Sequence, residues 1–145
     1  MMHAFEFAPL SGGALATELA SRGVTPTPQR LQIAELLFCK PQHVSADQIL
    51  AAVNRGDARV SKATVYNTLR LLSDKGLIRE VIVDPARVFY DPTTHAHHHF
   101  YNADTGELTD IPPEQVEFAK LPAPPLGTEQ DGVEVIVRLR RRHRR

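Results

Sequence analysis

The sequence predicts an α+β protein, because its first half carries apolar residues at helical spacing and its second half carries short β-rich runs. The chain has 145 residues, of which 42% are hydrophobic and 23% charged, as in ordinary globular proteins. This length allows one domain or two very small ones. We therefore expect a helical N-terminal part followed by a small α/β part.

The helices of the first half are indicated by capping residues. A first helix is predicted over residues 13–22. Thr27 precedes Pro28, and proline at the first helical position forfeits no hydrogen bond. Ser45 is followed three residues later by Gln48, which completes a capping box at the start of the third helix.

The fourth helix and the residues after it complete a recognisable arrangement. Ser61 caps the segment SKATVYNTLRLLSDKG, and Gly76 is placed to end it in the left-handed conformation. Two β-rich runs, 77–83 and 87–91, follow on either side of a turn at residues 84–86. Helices followed by a hairpin predict a winged helix-turn-helix, in which the last helix enters the DNA major groove.

The outward side chains of this helix suit DNA. Lys62 and Arg70 can neutralise phosphates, Asn67 can bond adenine, and Thr64 and Tyr66 can meet bases or a thymine methyl group. An amphipathic helix with a merely solvated polar face has the same composition. Both interpretations stay open on composition alone.

Charge is distributed unevenly although the formal net charge is zero. Residues 1–83 hold 9 Lys or Arg and 7 Asp or Glu, whereas residues 84–137 hold 2 and 10. The last eight residues, Arg138–Arg145, hold 6 Arg and no acid. We expect different tasks for the two halves, and we expect the basic tail to add non-specific phosphate contacts or to act as a disordered solubilising end.

A histidine run opens the second half. Four of the seven histidines fall within residues 95–99, and on a strand His97 and His99 project to one face while His98 projects to the other. A pair of imidazoles on one face is a natural chelate for zinc, iron, copper or nickel. The alternative is a solvent-exposed histidine-rich linker without a ligand.

Carboxylates and one distant histidine complete a candidate metal set. Asp91 precedes the run, Asp110 follows it, and His43 lies ahead of the third helix. With His97 and His99 these residues offer three imidazoles, two carboxylates and no thiolate. Such donors favour Fe²⁺, Mn²⁺ or Zn²⁺.

The rest of the second half predicts a small sheet that gains from pairing with a copy of itself. Residues 100–101 continue the histidine strand, and residues 107–111 are predicted to form a second strand that runs back beside it. A helix is predicted from Pro112 to about Ala119. A last strand places one set of apolar residues on one face: Val133, Val135, Val137 and Leu139. So small a sheet buries little area alone, so we expect a homodimer that reads a palindromic site.

Several function classes are disfavoured. There is no HExxH motif, no glycine-rich phosphate loop and no nucleophile–base pair, so we expect no enzyme. No apolar run is long enough for a membrane span and no secretory signal is evident, so we expect a cytoplasmic protein. A metal-buffering protein that does not bind DNA would explain the histidines but not the fourth helix and its hairpin.

Six motifs in order resemble the Fur family of bacterial metal-dependent repressors: TPTPQRLQIAELL, QHVSADQI, SKATVYNTLRLLSDKGLI, VFYD, HAHHHFY and LTDI. The resemblance implies a repressor of iron homeostasis on an AT-rich palindromic operator. It implies a DNA-binding domain over 1–84, a hinge with the end of the wing over 85–96 and a dimerisation domain over 97–145. It places the regulatory metal on His43, Asp91, His97, His99 and Asp110, and DNA contact on the helix that holds Lys62, Thr64, Tyr66, Asn67 and Arg70.

Departures from the family pattern bear on the expected zinc site, on haem binding and on the branch of the family. Asn102 and Thr105 replace the first CxxC pair, so we expect no structural four-cysteine zinc. The chain end resembles the iron response regulator (Irr) branch, where haem is sensed, and haem would bind His97, His98 or His99. Cys39 is followed by Lys40 and does not form a Cys-Pro haem motif, so we expect it to be buried. The peroxide-sensing PerR branch is the alternative.

Overall fold

The computed structural model of the chain describes residues 9–56, 59–94 and 97–143. These residues form two compact units, within Met1–Thr94 and within His95–Arg145. The predicted α+β class is confirmed, because the first unit holds four helices and a hairpin and the second holds a small sheet. None of the helices in the described ranges combines the length and the apolar character that crossing a bilayer requires.

Three of the four helices of the first unit begin directly after the predicted capping residues Thr27, Ser45 and Ser61. Their bounds are α1 Gly12–Ser21, α2 Pro28–Phe38, α3 Ala46–Val53 and α4 Lys62–Asp74. Thr27 accepts a hydrogen bond from the Arg30 N–H, and Ser45 forms the full capping box with Gln48. The first helix begins and ends one residue earlier than predicted.

Helix α4 buries one face and exposes the other. Ser61 Oγ accepts a hydrogen bond from the Thr64 N–H at 3.1 Å, and Gly76 after the helix adopts φ +71°. The buried positions are Val65, Thr68, Leu69 and Leu72. The three apolar residues among them join one core with residues of the other helices and the hairpin, including Leu15, Leu19, Ile33, Leu37, Ile49, Ile78 and Tyr90.

The predicted hairpin is present and carries an additional pairing. Strands β1 (Arg79–Asp84) and β2 (Arg87–Asp91) pair antiparallel. Val44, between α2 and α3, forms an antiparallel bridge with Tyr90, through N–H···O bonds of 3.1 and 2.7 Å. Both strands of the hairpin belong to the first unit, and a functional division at residues 84 and 96 stays a prediction.

The second unit is built on a three-stranded sheet in the order β4-β3-β5. Its strands are β3 His98–Asn102, β4 Leu108–Ile111 and β5 Ile136–Leu139. Strand β4 pairs antiparallel with β3, and β5 pairs parallel with it. The tight turn after β3 is held by Asn102 Oδ1, which accepts hydrogen bonds from the N–H groups of Asp104 and Thr105.

Two predictions about local structure are wrong, and a third, the last strand, is confirmed only over part of its length. The helix predicted from Pro112 to Ala119 is a single 3-10 turn, Pro113–Gln115, after which Val116 is extended at φ −120°. None of its residues is buried, so no packed apolar face prolongs it. Cys39, the C-cap residue of α2, is exposed rather than buried. The last strand is also shorter than predicted, and its Val137 and Leu139 are partly exposed.

Candidate metal centre and nucleic-acid interface

The first unit holds the pair His43 and Asp91, which we call the first half-site. The antiparallel bridge between Val44 and Tyr90 sets the neighbouring residues, His43 and Asp91, opposite one another. His43 Nε2 lies 3.1 Å from Asp91 Oδ2, and the side chains are 13% and 3% exposed. The Thr93 N–H donates to Asp91 Oδ1 at 2.8 Å, which fixes the carboxylate. A loop histidine and a strand carboxylate are thus oriented towards each other by strand pairing.

The second unit holds His97, His99 and Asp110, which we call the second half-site. Strand register again makes the arrangement, because His99 on β3 is the partner of Asp110 on β4. Asp110 Oδ1 lies 2.9 Å from His97 Nε2 and 3.3 Å from His99 Nε2. The two ring centres are 4.4 Å apart. The Nε2 atoms of both imidazoles therefore converge on one carboxylate oxygen.

The donors of the second half-site fit a divalent transition metal. His97 and His99 are 7% and 1% exposed in their side chains, whereas the Asp110 side chain is 60% exposed. Two imidazoles and one carboxylate form the ligand set in which non-haem Fe²⁺ is commonly held, and zinc accepts the same donors. Their candidate ligand atoms lie within 4.8 Å of one another, close enough to surround one ion.

His98 has a different role from its neighbours. Its Nδ1 accepts a hydrogen bond of 2.8 Å from the Val135 N–H, and its ring meets Phe118 edge-on with the ring centres 5.7 Å apart. His97, His98 and His99 are 6%, 9% and 1% exposed. The interpretation of the run as a solvated linker is therefore wrong for these three residues, while His95 lies outside the described residues. The buried geometry gives no support to the predicted haem site.

Sequence reasoning missed one acidic residue next to the second half-site. Glu134 Oε1 lies 3.1 Å from His99 Nδ1, on the opposite edge of the ring from Asp110. The contact exists because β5 pairs parallel with β3 and the His99 N–H donates to the Val135 carbonyl. An acidic residue within the valine-rich segment was the one available signal, and it carries no information about its partner.

The residues predicted to contact DNA are on α4 and largely face solvent. Lys62, Asn67 and Arg70 are exposed, and Tyr66 is 42% exposed. Lys62 Nζ lies 5.7 Å from the centre of the Tyr66 ring, within cation–π range. Thr64 is half-buried, and its hydroxyl oxygen accepts a hydrogen bond from Ser61 Oγ. The helix thus presents two cations, one amide and one phenol on its outer face.

Tyr90 lies next to Asp91 of the first half-site and is part of the core of the first unit. Its backbone forms the bridge to Val44, and its ring is buried in the core. Burial raises the pKa of the Tyr90 phenol, and the nearby Glu80 and Tyr66 raise it further. The phenol therefore stays neutral at physiological pH.

Comparison with known proteins gives matches in sequence and in structure. The chain is 34% identical over 95 residues to the peroxide-responsive repressor PerR of Staphylococcus saprophyticus, a match that covers 66% of this chain and 64% of that protein. The PerR of Staphylococcus aureus is 33% identical over 93 residues, covering 64% and 63%. The chain thus matches slightly less than two thirds of the length of these relatives.

Solved structures share the fold at lower sequence identity. The ferric uptake regulator of Pseudomonas aeruginosa with manganese superposes with a TM-score of 0.66 at 22% identity, covering 89% of this chain and 98% of that one. The Vibrio cholerae ferric uptake regulator gives 0.67 at 19% identity, covering 86% and 98%. These likenesses establish the fold. The sequence profile of the Ferric uptake regulator family matches residues 21–123, well over half of the chain. The chain therefore belongs to the ferric uptake regulator family.

Proposed function

We propose that this chain is a homodimeric, metal-responsive transcriptional repressor, with α4 as its DNA-reading helix. One divalent cation, Fe²⁺, Mn²⁺ or Zn²⁺, would be held jointly by His43, Asp91, His97, His99 and Asp110. Iron homeostasis is the process that we propose it controls. The Irr branch stays a prediction, and both sequence relatives described above are peroxide-responsive repressors.

The observation that carries the proposal is that each unit holds part of the proposed ligand set, with His43 opposite Asp91 and His99 opposite Asp110 through strand pairing. His43 and Asp91 are too few to hold a divalent ion with high affinity, and the second half-site supplies three further donors. The chain from Asp91 to His97 can span at most about 20 Å, which limits how far the half-sites can separate. A shared ion supplies a coordination link between the DNA-reading unit and the C-terminal unit.

The coordination link would couple metal binding to DNA binding. His43 and Asp91 belong to the unit that contains α4, so their participation in a shared site would restrict the positions available to that helix. Ligand binding shifts a conformational equilibrium only by its differential affinity for the two states. A coupling of about 1–3 kcal/mol would change DNA affinity about 5- to 150-fold.

The second unit supports the proposed dimer. Strand β5 is at the edge of the three-stranded sheet, and its Val137 and Leu139 are 37% and 38% exposed. Phe118 and Leu121 are 41% and 42% exposed, and Leu126 is fully exposed. Apolar side chains on an edge strand and in the segment leading to it are what a second copy would cover. A two-fold dimer would set two α4 helices on a palindromic, AT-rich operator.

The metal site is tested by titrating purified protein with Mn²⁺ and Zn²⁺, and with Fe²⁺ without oxygen. Wild type is compared with His43→Ala, His99→Ala and, as a matched control, His143→Ala in the exposed tail. We expect one ion per chain, strong loss of affinity for both site variants and no change for the control. If His43→Ala binds metal as wild type does, the His43–Asp91 pair is only a structural ion pair and the shared site is wrong.

DNA binding is tested by gel shift on an AT-rich palindrome with and without metal. We expect affinity to change on chelation in wild type and to be insensitive to chelation in His99→Ala. Binding that is indifferent to metal in wild type would contradict a metal-responsive regulator. Absence of any binding, with intact metal affinity, would favour a metal-buffering protein.

A second candidate, peroxide sensing, is favoured by the 34% identity to PerR. In this interpretation peroxide, in the presence of Fe²⁺ at the site, would oxidise one of the two buried imidazoles beside Asp110. Mass spectrometry should then find one added oxygen atom on a ligand histidine after peroxide treatment with Fe²⁺ but not with Mn²⁺.

Haem, the other proposed ligand of His97, His98 or His99, should displace the divalent ion if it uses the same imidazoles.

A further inference from the structure

Glu134 is not one of the proposed metal ligands, but it contacts one of them. It precedes β5, its side chain is 23% exposed, and its Oε1 lies 3.1 Å from His99 Nδ1. His99 is 1% exposed, so its ring is shielded from solvent. A partly buried carboxylate beside a buried imidazole calls for a physical explanation.

The two edges of the His99 ring face different carboxylates. Nε2 lies 3.3 Å from Asp110 Oδ1, the same oxygen that lies 2.9 Å from His97 Nε2. Nδ1 faces Glu134 instead. Nε2 therefore points to the convergence of donors, and Nδ1 points away from it. An imidazole that offers Nε2 as a ligand must carry its proton on Nδ1.

We propose that Glu134 is a positioning residue for metal binding, and that it accepts the Nδ1 proton of His99 in a hydrogen bond so that Nε2 is available to the ion. This inference rests on the proposed metal site. Carboxylate–histidine–metal arrangements of this kind fix the tautomer and orientation of the ring and increase the basicity of the ligand nitrogen. Removing such a partner typically weakens metal binding about 10- to 100-fold.

The backbone around Glu134 holds the carboxylate in place. The next residue, Val135, accepts a hydrogen bond from the His99 N–H at 3.0 Å and donates one to His98 Nδ1 at 2.8 Å. The residue after that, Ile136, is the parallel partner of His99. Three consecutive residues, the first residue of β5 and the two before it, thus engage two consecutive histidines of β3. The backbone position of Glu134 is thus set by the pairing of the two residues after it with His99.

The experiment compares Zn²⁺ affinity, measured by competition with a chromophoric chelator, in wild type, Glu134→Leu and Glu134→Gln. Glu134→Leu removes the acceptor, whereas Glu134→Gln keeps a carbonyl oxygen that can accept the same hydrogen bond. We expect about 10- to 100-fold weaker binding for Glu134→Leu and a smaller loss for Glu134→Gln. Glu129→Leu, at an exposed position, is the matched control and should bind as wild type does.

A second readout separates positioning from mere support of the fold. Histidine-selective ¹⁵N–¹H NMR of the Zn²⁺-loaded protein reports which ring nitrogen carries the proton. We expect a protonated Nδ1 with a strongly deshielded proton for His99 in wild type, less deshielding in Glu134→Gln and loss of that signature in Glu134→Leu. If Glu134→Leu does not fold, wild-type affinity together with wild-type His99 signals in Glu134→Gln alone refutes the positioning role.

The results distinguish this inference from the proposed function. If His99→Ala binds Zn²⁺ as wild type does, the proposed metal site is wrong. If His99→Ala binds weakly while both Glu134 variants match wild type in affinity and in the His99 signals, the metal site stands and the positioning role of Glu134 is refuted.

Discussion

Adjacent residues on α4 should separate folding from DNA binding. Leu69 is completely buried in the core, and Arg70 is exposed on the outer face. We predict that Leu69→Ala lowers the free energy of unfolding but spares the DNA affinity of the molecules that remain folded. We predict the reverse for Arg70→Ala.

The size of the Leu69 effect follows from its burial. Truncation to alanine withdraws three methylene equivalents from the interior, worth about 2.4 kcal/mol at about 0.8 kcal/mol each. The cavity left among Val65, Leu72 and their neighbours adds to this, for a total of about 3–5 kcal/mol. Since small domains have a total stability of about 5–15 kcal/mol, the variant should stay folded in mild conditions but be strongly weakened.

Arg70→Ala should change the free energy of unfolding by less than about 0.5 kcal/mol, as exposed substitutions usually do. If Arg70 contacts a phosphate, the slope of log affinity against log salt should become shallower by about 0.9. Urea unfolding gives the first quantity, and operator binding at several salt concentrations gives the second.

Two results would refute the reasoning. A small loss of stability for Leu69→Ala would mean that the apolar face of α4 does not form the core. An unaltered salt dependence for Arg70→Ala would mean that the outer face of α4 does not meet the DNA backbone at this position.

Three further predictions concern other parts of the chain. Ser45→Ala removes the cap of α3 and should cost about 1 kcal/mol in urea unfolding, while the exposed Ser11, which makes no side-chain capping bond, should tolerate alanine. Deleting residues 140–145 should make the salt dependence of DNA binding shallower by about 0.9 for each phosphate that the tail neutralises; an unchanged slope would leave the tail as a solubilising end. Because the pKa of Tyr90 is raised by burial, with Glu80 and Tyr66 adding to it, its contribution to stability is intact below about pH 10 and is lost as the pH rises through the folded-state pKa. Tyr90→Phe should reduce this alkaline loss, and an identical loss in the variant would assign it to another group.

The helical half could be predicted largely from sequence because its signals are local. Thr27, Ser45 and Ser61 each bond an N–H three residues away, so the information that begins each helix lies within one turn. The same holds for Gly76, whose positive φ ends the region of α4. The exposed outer face of α4 followed from the helical period alone.

The second unit was less predictable because its organisation depends on distant pairings. The parallel alignment of β5 with β3 joins Ile136 to His99 across 37 positions, and nothing in either segment specifies the other. The contact between Glu134 and His99 was missed for this reason. The prediction of a helix from Pro112 was wrong for a different reason: the local helical propensity was present, but no packing partner stabilised a helix.

The dependence of both half-sites on strand pairing has a consequence for how mutations act on this chain. Removing one residue from the turn that joins β3 to β4 would leave every ligand in the sequence and still move Asp110 to the far side of its strand. Ion affinity would then be lost although no ligand had been replaced. A bound ion would accordingly indicate that the strands have paired in the correct register. Insertions or deletions in the short turns of this protein should lower ion affinity as much as substitutions of the ligands themselves.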